Sequence, residues 1–321
     1  MRAMVQPRLV AATVLLLAAC TEVKGVEVDA RHLIPAEANV VLGFDLAPVR
    51  GSALGSLAYT AALAEPDLRA ALLSIPNCKV DLNDLHLLYA GVMDRDDRFM
   101  AVIESPGIGS EDVIRCLEAE RAKLTGEKAP WMLMFSTRGD VRTIPQEGGG
   151  VLVILNKNAI VVTEAAWESQ LFDAIEKPEA RNTGSALAKA AQAVDPGTDL
   201  WFSYALSDAD RGGMGDVKGV DGVQAVTITG DLTAGLKLDV TFDVADAAKA
   251  GEFKEGLDGV LAAIKEDPTP MPPELIGAIA STVHGTQVSA KIDVSAEAMP
   301  TFLTGLTAIL TTPETPETPE E

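Results

Sequence analysis

The chain has 321 residues, of which 47% are hydrophobic and only 4% aromatic, and its formal net charge at pH 7 is −21. This length is enough for one large domain or two ordinary ones, and the hydrophobic content is enough to bury a core. The negative charge repels nucleic acid, so we expect no nucleic-acid partner, and the few aromatic residues argue against a surface that stacks sugars or bases.

The first 25 residues have the features of a secretory signal peptide. Arg2 and Arg8 precede an apolar stretch over residues 9–19, which is too short to cross a bilayer as a helix. The stretch ends in Leu17-Ala18-Ala19-Cys20, which resembles the lipobox of bacterial lipoprotein precursors. The alternative is an ordinary signal peptide with an incidental cysteine.

The resemblance implies that residues 1–19 are removed, that Cys20 is acylated and that residues 20–32 form a tether. Each buried methylene contributes about 0.8 kcal/mol, and two or more acyl chains hold a protein stably in a membrane. We therefore expect a cell-envelope protein that contacts the membrane through acyl chains on Cys20. Thr21, where an Asp would favour retention in the inner membrane, favours the outer membrane if the organism is Gram-negative and follows the enteric sorting rule.

Strand and helix patterns alternate after the tether. Ser110 and Gly126 are the expected caps of a helix over residues 111–125, and Asn156-Lys157-Asn158 marks a hairpin turn. Strands are predicted at 39–46, 85–92, 99–104, 131–135, 151–155, 159–162, 199–206, 224–230, 236–242 and 286–294, and helices at 52–75, 111–125, 164–175, 246–265 and from about 295 to 310.

The order of these elements recurs along the chain. PAEANVVLGFDL at 35–46 matches PGTDLWFSYAL at 196–206, and Arg-Gly follows each of them. We therefore predict an α+β fold of two similar halves, at 33–180 and 181–310, each made of antiparallel β-hairpins with covering helices on one face. The acidic, proline-rich tail at 311–321 is predicted to be disordered.

Two cysteines remain in the folded body, Cys78 and Cys116. In an exported chain an even pair suggests one disulfide, which would contribute about 4 kcal/mol by closing a loop of about 40 residues. The alternative is two buried free thiols.

A glycine turn at residues 105–110 looks like a phosphate-binding loop. Gly107-Ile108-Gly109 lies between a predicted strand and a predicted helix, as in dinucleotide-binding proteins. The third glycine of that fingerprint is replaced by Asp112, and Glu111 adds a second negative charge. We therefore expect an ordinary turn and no cofactor.

An acidic, glycine-rich loop at 207–222 is a candidate calcium site. Its flexible carboxylates, Asp208, Asp210, Asp216 and Asp221, are the ligand type that Ca²⁺ prefers. Their spacing matches no EF-hand loop, and the alternative is a solvated acidic loop.

No catalytic residue is predicted. His32, His86 and His284 lie in separate segments, and the chain has no G-x-S-x-G sequence. We expect a non-enzymatic, lipid-anchored envelope protein with a binding or structural (scaffolding) role and an unidentified envelope protein partner. The alternative is a ligand-capturing lipoprotein of a transport system, with its site between the two halves. No motif favours an envelope hydrolase.

Overall fold

The computed structural model describes residues 25–64, 69, 72–92, 98–126, 134–146, 149–195, 197–213, 217–232, 235–266, 280–295 and 297–299. Cys20, the signal segment and the tail at 311–321 lie outside these residues. The strands are β1 Val40–Asp45, β2 His86–Gly91, β3 Phe99–Glu104, β4 Ser136–Arg138, β5 Val141–Gln146, β6 Gly150–Asn156, β7 Ala159–Glu164, β8 Leu200–Ala205, β9 Val223–Asp231, β10 Gly235–Val244, β11 Ala280–His284 and β12 Gln287–Ser295. The α-helices are α1 Leu46–Gly51, α2 Ala53–Ala64, α3 Glu111–Thr125, α4 Ala165–Glu176, α5 Ala186–Ala193, α6 Asp208–Gly213 and α7 Ala247–Glu266.

The twelve strands form one antiparallel sheet, in the order β11-β12-β10-β9-β8-β1-β2-β3-β7-β6-β5-β4. Near its middle β1 pairs with β8, and in this pair Val41 lies opposite Ser203 and Gly43 lies opposite Trp201. The prediction of two similar halves, each with its own hairpins, is therefore wrong. Hydrogen bonds between β1 and β8 continue the sheet across the boundary that the sequence placed near residue 180.

Helices cover both faces of this sheet, whereas the sequence suggested one covered face. On one face, which we call the front, α4 packs against β6 and β7, and α5 packs against β1, β8 and β9. Successive side chains of a strand point to opposite faces, so a strand covered on both sides is apolar throughout, as in β6. The front core includes Val41, Leu88, Val102, Val153, Val161, Trp167, Leu171, Phe172 and Leu187.

The other face, the back, is covered by α3 at one end and α7 at the other. Ile114 of α3 packs on Ile144, Leu152, Ile154 and Ile160. Phe253 of α7 packs in a separate cluster with Val223, Val244 and Val288. The helices and the sheet therefore form three layers.

The caps of α3 follow the sequence prediction. Ser110 precedes the helix in an extended conformation, and Gly126 ends it with a left-handed φ of 72°. The predicted bounds of this helix, 111–125, are confirmed. Five described elements, β5, β11, α1, α5 and α6, have no counterpart in the sequence prediction, and β4 lies just after the strand predicted at 131–135.

Cys78 and Cys116, the two cysteines expected to pair, are joined by a disulfide with a Cα–Cα distance of 5.5 Å. Cys78 ends the 3₁₀ turn Ile75–Cys78, and Cys116 lies on α3. The bond therefore ties the segment before β2 to the helix that covers β5, β6 and β7.

Among the described residues, no helix combines the length and the apolar character needed to cross a membrane.

Replacement of Gly43 by Ala should destabilise the protein at the centre of the sheet. A Cβ at Gly43 would lie 2.2 Å from Nε1 of Trp201, so the indole would have to move. We expect a loss of about 1–3 kcal/mol in the free energy of unfolding, measured in urea. Gly251→Ala in α7 is the matched control: its added Cβ meets no atom within 4 Å, and we expect a gain of up to about 1 kcal/mol. Equal stability of Gly43→Ala and the natural protein would contradict this packing.

Removal of the disulfide should lower stability through the unfolded chain. The two cysteines are 38 residues apart, and the chain-entropy model gives a loss of about 4 kcal/mol for a loop of that length. The double variant Cys78→Ala/Cys116→Ala should therefore unfold at lower urea concentration than the oxidised protein. Reduction of the natural protein should have a similar effect, and an unchanged midpoint in both would count against the bond as a stabilising element.

Candidate functional site

Three polar side chains lie side by side on the front face, where β1 and β3 end and β2 begins. Asp45 is directly opposite His86, and His86 is directly opposite Glu104. Nδ1 of His86 is hydrogen-bonded to Oδ1 of Asp45. Because β2 runs antiparallel to β1 and to β3, the start of β2 lies beside the ends of the other two strands. Their polar residues therefore meet at one edge of the sheet and place an imidazole between two carboxylates.

This row lines a cleft with two lobes, which we call the strand-end cleft. The lobes have volumes of about 620 and 380 Å³ and share Asp29, His86 and Glu104. The larger lobe is also lined by Glu27, Val28, Asn83, Asp84, Ser105, Pro106, Asn156, Asn158 and Ala159. The smaller lobe is also lined by Ala30, Arg31, Gly43, Phe44, Asp45, Leu87, Leu88, Val102, Val194, Asp195, Thr198 and Trp201.

One wall of the cleft is fixed by an ion pair between Arg31 and Asp29. Nε of Arg31 donates to Oδ1 of Asp29 over 2.9 Å, and Nη1 donates to the carbonyl of Val194 over 2.8 Å. The hydrogen bond from Arg31 is the main reason that the pKa of Asp29 is lowered. Arg31 is therefore committed to the wall of the cleft and to the end of α5.

Glu104 is held where its charge is unfavourable. Burial raises the pKa of Glu104 above its ordinary value, the charges of Asp29 and Asp45 raise it further, and only His86 acts in the opposite direction. No cation among the described residues forms an ion pair with Glu104. A titratable group shifted by burial inside a cleft is a typical mark of a functional site.

Ser105, the next residue after Glu104, has unused hydrogen-bonding capacity. It is 3% exposed, and its Oγ has no hydrogen-bond partner in the structure. Buried hydroxyl groups are nearly always paired, so an unpaired one in the lining of a cleft requires an explanation.

The glycine turn that resembles a phosphate loop has a structural use. The N–H of Gly107 donates to Oδ1 of Asn158 over 3.0 Å, and the N–H of Gly109 donates to the carbonyl of Lys157 over 2.9 Å. A Cβ at Gly109 would lie 2.0 Å from the carbonyl oxygen of Asn156. Gly109 lets the turn pack on the β6–β7 hairpin, and the N–H groups of both glycines are already used within the protein.

The candidate calcium loop is not gathered into one site in the part of the chain that is described. Asp210 accepts hydrogen bonds from Ser207 and from the hydroxyl of Tyr204, which lower its pKa. Asp208 pairs with Arg211, and Asp221 pairs with Lys249. Asp216 lies outside the described residues. Within those residues, no group of three or more His, Cys, Asp or Glu is placed to hold a metal ion.

A second cavity, of about 980 Å³, lies on the front face between α5 and the strands β9 and β10. Hydroxyl groups line its floor, including Thr227, whose Oγ1 is 2.9 Å from Oγ of Ser203. Arg211 at its end donates to the carbonyls of Leu206 and Val223. Thr227, Arg211 and the pair of Gln287 and Asp243 are thus bonded within the protein, whereas Glu104 in the strand-end cleft has no ion pair among the described residues, so that cleft is the stronger candidate.

Of the site residues singled out in the sequence, Cys20 and Asp216 lie outside the described residues, and none of the others lines the strand-end cleft. Asp45, Glu104 and the pairing of His86 were missed, although each residue stands at the end of a predicted strand. The one signal in the sequence that points to the site is the succession of predicted strands at 39–46, 85–92 and 99–104, because a meander of three antiparallel strands brings these ends together.

Comparisons with known proteins assign nothing to this chain: no family model, no curated protein and no solved structure matches it.

Replacement of Glu104 by Gln should stabilise the fold at neutral pH. Because burial raises the pKa of Glu104, the folded protein binds a proton here more readily than the unfolded chain, and the natural protein gains stability as the pH falls through that raised pKa. The advantage of Glu104→Gln in urea unfolding should therefore be full above the raised pKa and vanish below the ordinary glutamate value of 4.5.

Glu179→Gln is the matched control, because it makes the same substitution at an exposed position; its stability at pH 7 should equal that of the natural protein within about 0.5 kcal/mol. A Glu104→Gln variant that is less stable than the natural protein at pH 7 would show that the carboxylate supports the fold.

Proposed function

We propose that this chain is a lipid-anchored protein of the cell envelope with a non-enzymatic binding role, and that the strand-end cleft is its binding site. The observation that carries the proposal is the row of Asp45, His86 and Glu104 in an open cleft. Glu104, at one end of this row, is partly buried without a cationic partner among the described residues, which costs stability. Such an arrangement is expected where a ligand supplies the missing interaction.

Two features support export to the cell envelope, and the first of them also supports the anchor. Leu17-Ala18-Ala19-Cys20 resembles a lipobox, and the fold contains a disulfide between Cys78 and Cys116. Disulfides form and persist in oxidising compartments outside the cytoplasm. Both features agree with export through a signal peptide.

The geometry favours binding over catalysis. The recorded side-chain partner of His86 is Asp45, and the nearby hydroxyl of Ser105 has no hydrogen bond. A nucleophile needs a base within hydrogen-bonding distance. Among the described residues of the cleft, the imidazole activates no hydroxyl or thiol.

A second candidate function is ligand capture for a transport system. One observation favours it: the smaller lobe joins Phe44 and Asp45 to Asp195 and Trp201, residues that are far apart in the chain and meet through the β1–β8 pair. Isolation of the acylated protein from its own envelope distinguishes the two roles. Recovery of a transporter favours ligand capture for a transport system, and recovery of other envelope proteins without a transporter favours a binding role outside transport.

Cys20→Ser should release the protein from the membrane. Without a thiol no diacylglyceryl group can be attached, and the remaining body carries a strong negative charge that anionic headgroups repel. The variant should move from the membrane to the soluble fraction, and a labelled fatty acid should be incorporated only into the natural protein. Membrane partition of Cys20→Ser equal to that of the natural protein would contradict lipid anchoring.

A further inference from the structure

We propose that the strand-end cleft binds an aliphatic primary ammonium at the membrane surface, with the cationic nitrogen at the row of Asp45, His86 and Glu104. The location at the membrane rests on the lipid anchor of the proposed function, whereas the ligand class rests on the cleft alone.

The charge of the cleft selects a cation. Carboxylates line both lobes, and of the two basic residues in the lining, Arg31 is already paired with Asp29. Every further anion would add to the repulsion that Glu104 already experiences from Asp29 and Asp45. A positive ligand would reverse that balance, because an opposite charge nearby favours the ionised carboxylate. The lining carboxylates are Glu27, Asp29, Asp45, Asp84, Glu104 and Asp195.

The hydrogen-bonding groups suit an ammonium better than a metal ion. An ammonium has three N–H donors and no acceptor, and it tolerates acceptors spread over several strands. The row offers carboxylate oxygens on β1 and β3, and Ser105, a lining residue of the larger lobe, has a buried Oγ with no hydrogen-bond partner. No group of three or more metal-ligating side chains is assembled among the described residues.

The smaller lobe suits an aliphatic body. Leu88, Val102, Val194 and Trp201 contribute apolar surface to its lining, directly beside His86 and Glu104. A methylene chain attached to the ammonium could lie on this surface while the charge stays at the row. The two lobes together have the volume of a typical small-molecule site.

The start of the folded chain places the cleft near the anchor. The N–H of Val26 donates to the carbonyl of Leu155 over 2.6 Å, and Nδ2 of Asn156 donates to the carbonyl of Val26 over 3.1 Å. The chain then runs through Glu27 and Asp29, which line the cleft. An extended segment from Cys20 to Gly25 spans at most about 18 Å, so a lipidated Cys20 holds this end of the protein close to the bilayer.

An ammonium of this kind has two sources, a soluble aliphatic amine or the headgroup of an aminolipid. Cadaverine is the probe for the first, and vesicles of phosphatidylethanolamine in phosphatidylcholine are the probe for the second. Each has a methylated counterpart that keeps the positive charge and lacks N–H donors, namely pentamethonium and pure phosphatidylcholine vesicles. These counterparts separate hydrogen bonding by the ammonium from simple attraction of a cation to an acidic protein.

The experiment uses the mature chain with Cys20→Ala, which is soluble whatever the fate of the anchor. Binding of cadaverine is measured by calorimetry at physiological ionic strength, and binding to vesicles by cosedimentation. The cleft variant Asp45→Asn/Glu104→Gln is compared with Glu179→Gln/Asp293→Asn, a control that removes the same charge from exposed positions. Urea unfolding of both variants checks that each is folded.

We expect at least one ammonium probe to bind, about tenfold or more weaker binding by the cleft variant, and unchanged binding by the control variant. The methylated counterpart should bind more weakly than its ammonium partner. Binding of cadaverine alone identifies a soluble amine, and binding of the phosphatidylethanolamine vesicles identifies the headgroup.

The proposal is overturned if neither ammonium probe binds, if both variants lose affinity equally, or if the methylated probes bind as well as the ammonium probes. Because Cys20→Ala carries no acyl chain, these results do not depend on the anchor. Failure of the anchor is read separately, from the partition of Cys20→Ser, so each proposal can fail alone.

Discussion

Pairing between β1 and β8 holds the molecule together. Residues early in the chain meet residues about 160 positions later, and the contact is close because Gly43 has no side chain where the indole of Trp201 lies against it. Every other strand is added outward from this pair by antiparallel neighbours. Because this pair joins the strands on its two sides into one sheet, α4 and α5 lie along one continuous front face and share a core with the central strands.

The cleft follows from that arrangement. Below the indole, the front face of β1, β2 and β3 changes from apolar to polar between neighbouring positions on that face. Gly43, Leu88 and Val102 are followed, two residues away on each strand, by the row of Asp45, His86 and Glu104. The turn of the β6–β7 hairpin and the segment after Gly25 close the sides. The site therefore lies where the packed core ends, with an apolar wall on one side and carboxylates on the other.

Local signals in the sequence were sufficient for the elements that have strong caps or clear periodicity. Ser110 and Gly126 defined α3, and the asparagines around Lys157 marked the hairpin between β6 and β7. Weak patterns were missed: β5 contains Arg142 and Pro145, and α5 is only eight residues long and rich in alanine, although its buried residues Leu187, Ala188, Ala190 and Ala191 do follow helical spacing.

The longer-range features could not be predicted from one sequence. The similarity of PAEANVVLGFDL and PGTDLWFSYAL was interpreted as two separate halves, but these two segments contain β1 and β8, which pair with each other. Alternation gives the face of each side chain, not the partner of each strand. For the same reason His86 looked like an isolated strand residue, although Asp45 and Glu104 flank it in the sheet.

The central claim is that the strand-end cleft is a specific ammonium site. Amide chemical-shift mapping of the mature Cys20→Ala chain during titration with cadaverine tests it most directly, because every backbone N–H reports its own surroundings. The account predicts saturating shifts concentrated at the ends of β1, β2 and β3 and at Ser105 and Asn158. Small, non-saturating shifts spread over other acidic surfaces, such as α6 and α7, would contradict it.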